Sequence, residues 1–158
     1  MKISSRSRID IFMKALGARK PSPGGGAASA LAGALGAALM MKIANFTVGK
    51  KKYRMYEKDA KAIFKKAEAI KNKLNALIEK DARSYGEYAM KRSKESLDKS
   101  TMCVAQISKL SKEALKYCVR LKGIGNRNLK GDLYTAESLL NASAKSAENL
   151  VKLNRKRV

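Results

Sequence analysis

The chain has 158 residues, a length suited to one domain spanning residues 1–158, and carries 35 Lys and Arg against 13 Asp and Glu, for a formal net charge of +22. A hydrophobic share of 45% excludes a disordered basic tail, while 6% aromatics, no Trp and two prolines exclude an all-β fold. Histidine is absent, so no Ser-His-Asp triad, Cys-His pair or His-ligated metal site can form, and no metal is expected.

Residues 3–17 predict a short amphipathic helix with Ile3, Ile9, Phe12, Met13 and Leu16 available for one face and Gly17 placed to end it. Its scattered charges leave no continuous apolar core for a cleavable signal peptide. The breaker cluster Pro21-Ser22-Pro23-Gly24-Gly25-Gly26 follows. A second helix is predicted over 27–46, with small residues all round, Gly33 and Gly36 for close helix approach, and Gly49 to close it. That stretch is nearly uncharged, but Ala and Gly gain little on leaving water, so it predicts a buried central helix and no membrane span.

The third helix, over about 54–90, is the clearest periodic element. Ile63, Phe64, Ala67, Ile70, Leu74, Leu77, Ile78 and Tyr85 recur at three- and four-residue steps. The polar stretch 91–99 reads as a loop or a helical bend. A fourth helix, about 102–121, is marked by Val104, Ile107, Leu110, Ala114, Cys118 and Leu121, with Gly123 and Gly125 as breakers. Cys103 and Cys118 would sit ~22 Å apart on it, too far for a disulfide, which predicts structural thiols in a reducing, cytoplasmic setting. The last helix, about 132–154, keeps Leu133, Ala136, Leu140, Ala144, Ala147 and Val151 in phase. The expected fold is all-α, an up-and-down bundle of about five helices around a long Ala/Gly-rich central helix.

Four groups of residues could carry chemistry. Backbone N–H groups of Gly24, Gly25 and Gly26 at a helix start form a site for an anion or a carbonyl oxygen; a plain helix start is the other reading. Asp81 shares a stripe with Leu74, Leu77, Ile78 and Tyr85, so it faces the core side of its helix. There it is either a desolvated general acid/base or a buried carboxylate paired with Lys or Arg. The turn Gly125-Asn126-Arg127-Asn128, followed by Asp132, either reads a heterocycle edge with its amides or simply caps the next helix. The run Lys50-Lys51-Lys52-Tyr53 either binds an anion or is a solvated face.

Three motifs resemble one family. They are Pro-Ser-Pro-Gly-Gly-Gly-Ala-Ala-Ser-Ala-Leu-Ala-Gly-Ala-Leu-Gly-Ala-Ala-Leu over 21–39, running on to Ala44-Asn45-Phe46-Thr47-Val48-Gly49-Lys50-Lys51-Lys52-Tyr53; Leu77-Ile78-Glu79-Lys80-Asp81-Ala82; and Gly125-Asn126-Arg127-Asn128-Leu129-Lys130-Gly131-Asp132-Leu133. Together they are similar to the formiminotetrahydrofolate cyclodeaminase/methenyltetrahydrofolate cyclohydrolase family. The resemblance implies an all-helical homodimer acting on the one-carbon bridge between N5 and N10 of tetrahydrofolate. It implies Asp81 as the catalytic acid/base, and Pro23, Gly24, Gly25, Gly26, Lys52, Tyr53, Tyr85, Asn126, Asn128 and Asp132 as substrate-binding residues. The tetrahydrofolate derivative is substrate, and no further cofactor is expected.

Cyclohydrolase activity, opening the methenyl ring to 10-formyltetrahydrofolate, is the leading expectation for a chain without a transferase domain; cyclodeaminase activity, releasing ammonia, is the alternative. Two rivals are a non-enzymatic folate-binding relative and a basic nucleic-acid-binding protein. The latter is not favoured, because no helix-turn-helix, basic zipper or aromatic platform is present. The positive field has a use with folate as well, since a polyglutamylated tail is anionic. A second helix apolar all round would leave apolar surface uncovered in a lone copy, which also points to a homodimer.

Overall fold

The computed structural model describes residues 9–157, among which there are five α-helices and no strand. They are α1 (Ile9–Leu16), α2 (Gly25–Thr47), α3 (Glu57–Lys91), α4 (Lys94–Ile124) and α5 (Lys130–Arg155), with 3-10 turns at Lys51–Tyr56 and Arg127–Leu129. The four long helices run up and down through short connections, as expected, and α2 lies against α3, α4 and α5.

Alanine is the best helix former, and its small side chain lets three neighbours crowd around α2. Ala27, Ala30, Ala34, Ala37, Met40, Ile43 and Ala44 are buried. The bundle is tightest at Gly33. A Cβ there would stand 2.8 Å from Ser143 Oγ, 2.9 Å from Ser111 Oγ and 3.0 Å from Leu74 Cδ1, so α5, α4 and α3 converge on it. The serines at this crossing satisfy one another: the Ser111 and Ser143 hydroxyls are 2.8 Å apart, and Ser143 Oγ donates to the Ser29 carbonyl at 2.7 Å. Among the described helices α2 alone is long and apolar enough to cross a membrane, but more than half of that stretch is buried by its neighbours. It is a core helix.

The predicted stripes of α3, α4 and α5 face inward. Ile63, Ile70, Leu74, Leu77 and Ile78 of α3, Val104, Ile107, Leu110 and Leu121 of α4, and Leu133 and Leu140 of α5 are all buried. Each such side chain contributes about 1.5–3 kcal/mol of transfer free energy. Cys103 and Cys118 are free, buried thiols on α4, and burial is the main cause that pushes each up to about 11.

Three expectations need correction, on α1, α4 and α3, and the open choice between loop and helical bend over 91–99 falls to the bend. In α1 only Phe12 is buried, while Ile9 and Met13 are exposed, because the helix offers a narrow side to the bundle; Ile3 lies outside the described residues. The stretch 91–99 is mostly helix, and the break is confined to Arg92 and Ser93. Arg92 ends α3 with a positive φ of 53°, its guanidinium 5.4 Å from the Tyr88 ring, and Ser93 caps α4 by accepting the Ser96 N–H at 3.2 Å. α4 therefore begins eight residues before the expected Met102. It also runs through Gly123 to Ile124 before Gly125 caps it, donating its N–H to the Leu121 carbonyl at 2.8 Å. Lys51–Tyr56 forms a separate 3-10 turn, so α3 starts at Glu57 instead of about Arg54. Gly49, with φ of 73°, makes the reversal out of α2 that the sequence assigned to it.

Candidate active site

The glycine cluster places backbone, not side chains, at the start of α2. Gly24 caps the helix in an extended conformation, without a side-chain cap, so the first-turn N–H groups are left for other partners. The cluster is held from outside: Pro23 is buried behind a cis Ser22–Pro23 bond, and the Ser22 hydroxyl donates to the Ala82 carbonyl of α3.

That contact brings α3 alongside the helix start, and Asp81 follows from it. The Asp81 side chain, 3% exposed, lies directly over Gly26, where any Cβ would overlap its carboxylate. Burial pushes its pKa up to about 6, and a hydrogen bond from the Ala27 N–H pulls the other way. Among the described residues no Lys or Arg pairs with it, so there it is a desolvated carboxylate at a helix N-terminus.

A cavity of about 230 Å³ opens over this carboxylate. Its wall takes Gly24, Gly25 and Gly26 from α2 and its cap, Asp81 and Tyr85 from α3, Ser100 and Val104 from α4, and Leu150, Leu153, Asn154 and Arg157 from the end of α5 and just beyond. The Tyr85 hydroxyl stands 3.5 Å from the Arg157 guanidinium. Chemically the cavity offers one base able to titrate near pH 6, flexible hydroxyls, and a glycine floor against which a flat ligand can press.

The other expected site residues are elsewhere. Lys52, Tyr53, Asn126 and Asn128 line a second cavity, about 500 Å³, together with Phe46, Lys50, Lys51 and Leu129. It sits at the opposite end of α2, ~31 Å from Gly26 by helix rise. There Asn126 is heavily committed to the fold: its Nδ2 donates to the Phe46 carbonyl at 2.8 Å and its Oδ1 accepts the Asn128 N–H at 3.1 Å. Tyr53 accepts the Arg127 N–H at 3.0 Å. Asp132, in the first turn of α5, pairs with Lys42 at 2.8 Å and lines neither cavity. Within one copy, the expected residues thus form two clusters, with Asp132 and Pro23 as their supports.

Sequence reasoning missed Ser100, Asn154 and Arg157 as lining residues. Ser100 lies on the buried face of α4, one turn before Cys103, a signal hidden by starting that helix at Met102. Asn154 is 5% exposed, four residues beyond Leu150 on α5.

Comparisons with known proteins bear on the family and the fold. A family model described as formiminotransferase-cyclodeaminase matches residues 8–158. A methenyltetrahydrofolate cyclohydrolase from Methylorubrum extorquens is 37% identical over 83 residues, 52% of this chain and 40% of that protein. A formimidoyltransferase-cyclodeaminase from Gallus gallus is 25% identical across 94% of this chain, which spans 30% of its length. The crystal structure of a formiminotetrahydrofolate cyclodeaminase from Thermotoga maritima superposes with a TM-score of 0.91 at 29% identity, covering 97% of this chain and 80% of that one. The chain spans less than half the length of the two sequence relatives, yet the match runs through the whole bundle and both clusters. It belongs to the formiminotransferase-cyclodeaminase family.

Proposed function

We propose that this chain is a folate enzyme acting on the N5–N10 one-carbon bridge, and that it hydrolyses methenyltetrahydrofolate to 10-formyltetrahydrofolate. The observation that carries the reading is Asp81: a buried carboxylate with no cationic partner among the described residues, titrating near pH 6 in a glycine-floored cavity. As carboxylate it takes a proton from water while the oxygen bonds to the methenyl carbon. The resulting acid then protonates N5 as the carbon–N5 bond breaks, and the new hydroxyl becomes the formyl carbonyl by releasing its proton to solvent. The cavity is smaller than the ~300–1,000 Å³ typical of whole small-molecule sites, which suits the reacting end of a folate with its tail outside.

Cyclodeamination is the second reading, favoured by the close superposition on a protein of that name. There N10 attacks the formimino carbon and Asp81 passes the N10 proton to the departing amine. Incubating purified chain with each substrate tests both: loss of the methenyl chromophore supports the first, ammonia release from 5-formiminotetrahydrofolate the second. Neither product from either substrate rejects the enzyme reading and leaves a folate-binding relative.

The working protein on this reading is a cytoplasmic homodimer. α2 is covered on three sides, while Leu35 is 46% exposed between half-buried Leu31 and Leu39, a leucine stripe that a second copy would cover. A two-fold axis crossing α2 would set the lysine-rich end of one copy beside the Asp81 end of the other. The Lys50–Lys52 cluster then serves the glutamate tail of a polyglutamylated substrate.

A further inference from the structure

Among the described residues, Ser100 Oγ is the one buried side-chain polar atom with no hydrogen-bond partner in the chain. Ser100 is 1% exposed and lies on the wall of the cavity that holds Asp81. A serine inside a helix always has a fallback, the carbonyl one turn back, reached by a rotation about χ1. Its neighbour Thr101 takes that option, donating to the Leu97 carbonyl at 2.8 Å, and Ser96 donates to the Ser93 carbonyl at 2.8 Å. Ser100 does not. Leaving a buried hydroxyl unpaired costs about 1–3 kcal/mol, so such a group calls for a partner from outside the chain.

The surroundings narrow that partner. Ser100 and Cys103 lie one turn apart on α4, and the Asp81 charge is close enough to Cys103 to help push its thiol up. The hydroxyl and the carboxylate therefore flank the same small space from α4 and α3. Its floor, Gly24 to Gly26, brings only backbone, Val104, Leu150 and Leu153 bring only hydrocarbon, and the other polar side chains of the wall are Tyr85, Asn154 and Arg157. A carboxylate accepts hydrogen bonds and a serine hydroxyl both donates and accepts. A water donating one proton to Asp81 and its other hydrogen bond to or from Ser100 satisfies both groups.

We infer that Ser100 is a positioning residue for the proposed hydrolysis, its hydroxyl holding the water from which Asp81 removes a proton. This rests on the cyclohydrolase reading. The inference assigns Ser100 a role in orienting the nucleophile and none in gripping the folate. Water attack needs the group; ring closure by N10, which uses no water, does not.

Three measurements test it. In steady-state hydrolysis of methenyltetrahydrofolate, Ser100→Ala should lower kcat by about 10–100-fold with KM within twofold of the parent. Thermal stability should stay within a degree or two of the parent, since the hydroxyl makes no hydrogen bond within the chain. An unchanged kcat, or a raised KM with kcat intact, overturns the inference. A high-resolution crystal structure of the full chain should show an ordered water within hydrogen-bond distance of both Ser100 Oγ and the Asp81 carboxylate, lost in Ser100→Ala. A dry hydroxyl in the parent overturns it too. If the parent binds that water yet opens no methenyl ring, the cyclohydrolase reading fails while the water site stands.

Discussion

The Asp81 carboxylate occupies the space that a side chain at Gly26 would fill. Base and helix start are thereby fitted to one another: the position must be glycine for α3 to bring its carboxylate under the first turn of α2. Gly26→Ala forces that buried carboxylate aside, so it should cost about 1–3 kcal/mol of stability and most of the activity. At Gly25 the nearest atom to an added Cβ is Leu150 Cδ1 at 3.7 Å, an ordinary contact. Gly25→Ala should therefore melt within a degree or two of the parent. Equal melting of the two variants would show that the close fit at Gly26 has no energetic weight.

Asp81→Asn keeps shape and hydrogen bonding but cannot move a proton. Turnover should fall by ~10²–10⁴ with folate affinity largely kept. In the parent, kcat/KM should rise with pH through about 6, because the base must be ionised to accept the water proton. Near-normal turnover in Asp81→Asn would move the proton transfer to another group.

The same residue makes an opposite prediction for stability. Its pKa is raised from 3.8 to about 6 on folding, so between those values the folded chain binds more protons than the unfolded one. Its contribution to stability is therefore fullest below about pH 4 and is lost as pH rises through about 6. Asparagine resembles the protonated form at every pH. Asp81→Asn should then melt like the parent near pH 4 and higher than it at pH 8, by up to about 3 kcal/mol or roughly 10 °C. Paired melting curves across that range check the sign: an inactive variant that is more stable marks a residue kept for chemistry.

Much of this was legible in the sequence. Long runs of apolar residues at helical spacing announced α3, α4 and α5, and the Asp81 stripe announced its burial. The start of α4 was hidden because its buried face begins with Ser96 and Ser100, small polar residues that interrupt the hydrophobic phase. The break before it was hidden because Arg92 takes a left-handed conformation usually left to glycine. Ser100 went unseen for the same reason as the helix it belongs to. The separation of the two clusters was illegible on other grounds: motif order along a chain does not tell which end of a helix each loop meets. Gly24–Gly26 cap and open α2 and Lys50–Tyr53 follow it, so the length of α2 itself keeps them apart.

Leu35 tests the assembly. It stands 46% exposed on the one side of α2 that α3, α4 and α5 leave uncovered. A charge there would be costly inside an apolar interface and nearly free in a monomer. Light scattering should give a dimer for the parent and a monomer for Leu35→Glu, with helical content unchanged. A parent that stays monomeric at micromolar concentration removes the homodimer.

The strong positive charge makes the last prediction, at the end of the molecule away from Asp81. Lys50, Lys51 and Lys52 border the larger cavity, and the overall charge of +22 adds a long-range attraction for anions. Each added glutamate on a folate tail brings one more carboxylate. A polyglutamylated folate should therefore bind several-fold more tightly than the monoglutamate at low salt. The advantage should shrink as the Debye length falls from about 30 Å at 0.01 M to about 8 Å at 0.15 M ionic strength. Replacing the three lysines with glutamine should reduce the advantage more than it weakens monoglutamate binding, because in the proposed dimer these lysines meet the tail and not the reacting end. Equal affinities for the two folates at low salt would free these lysines from any role in holding the tail. Tight, salt-sensitive RNA or DNA binding without folate affinity would assign the charge to nucleic acid instead.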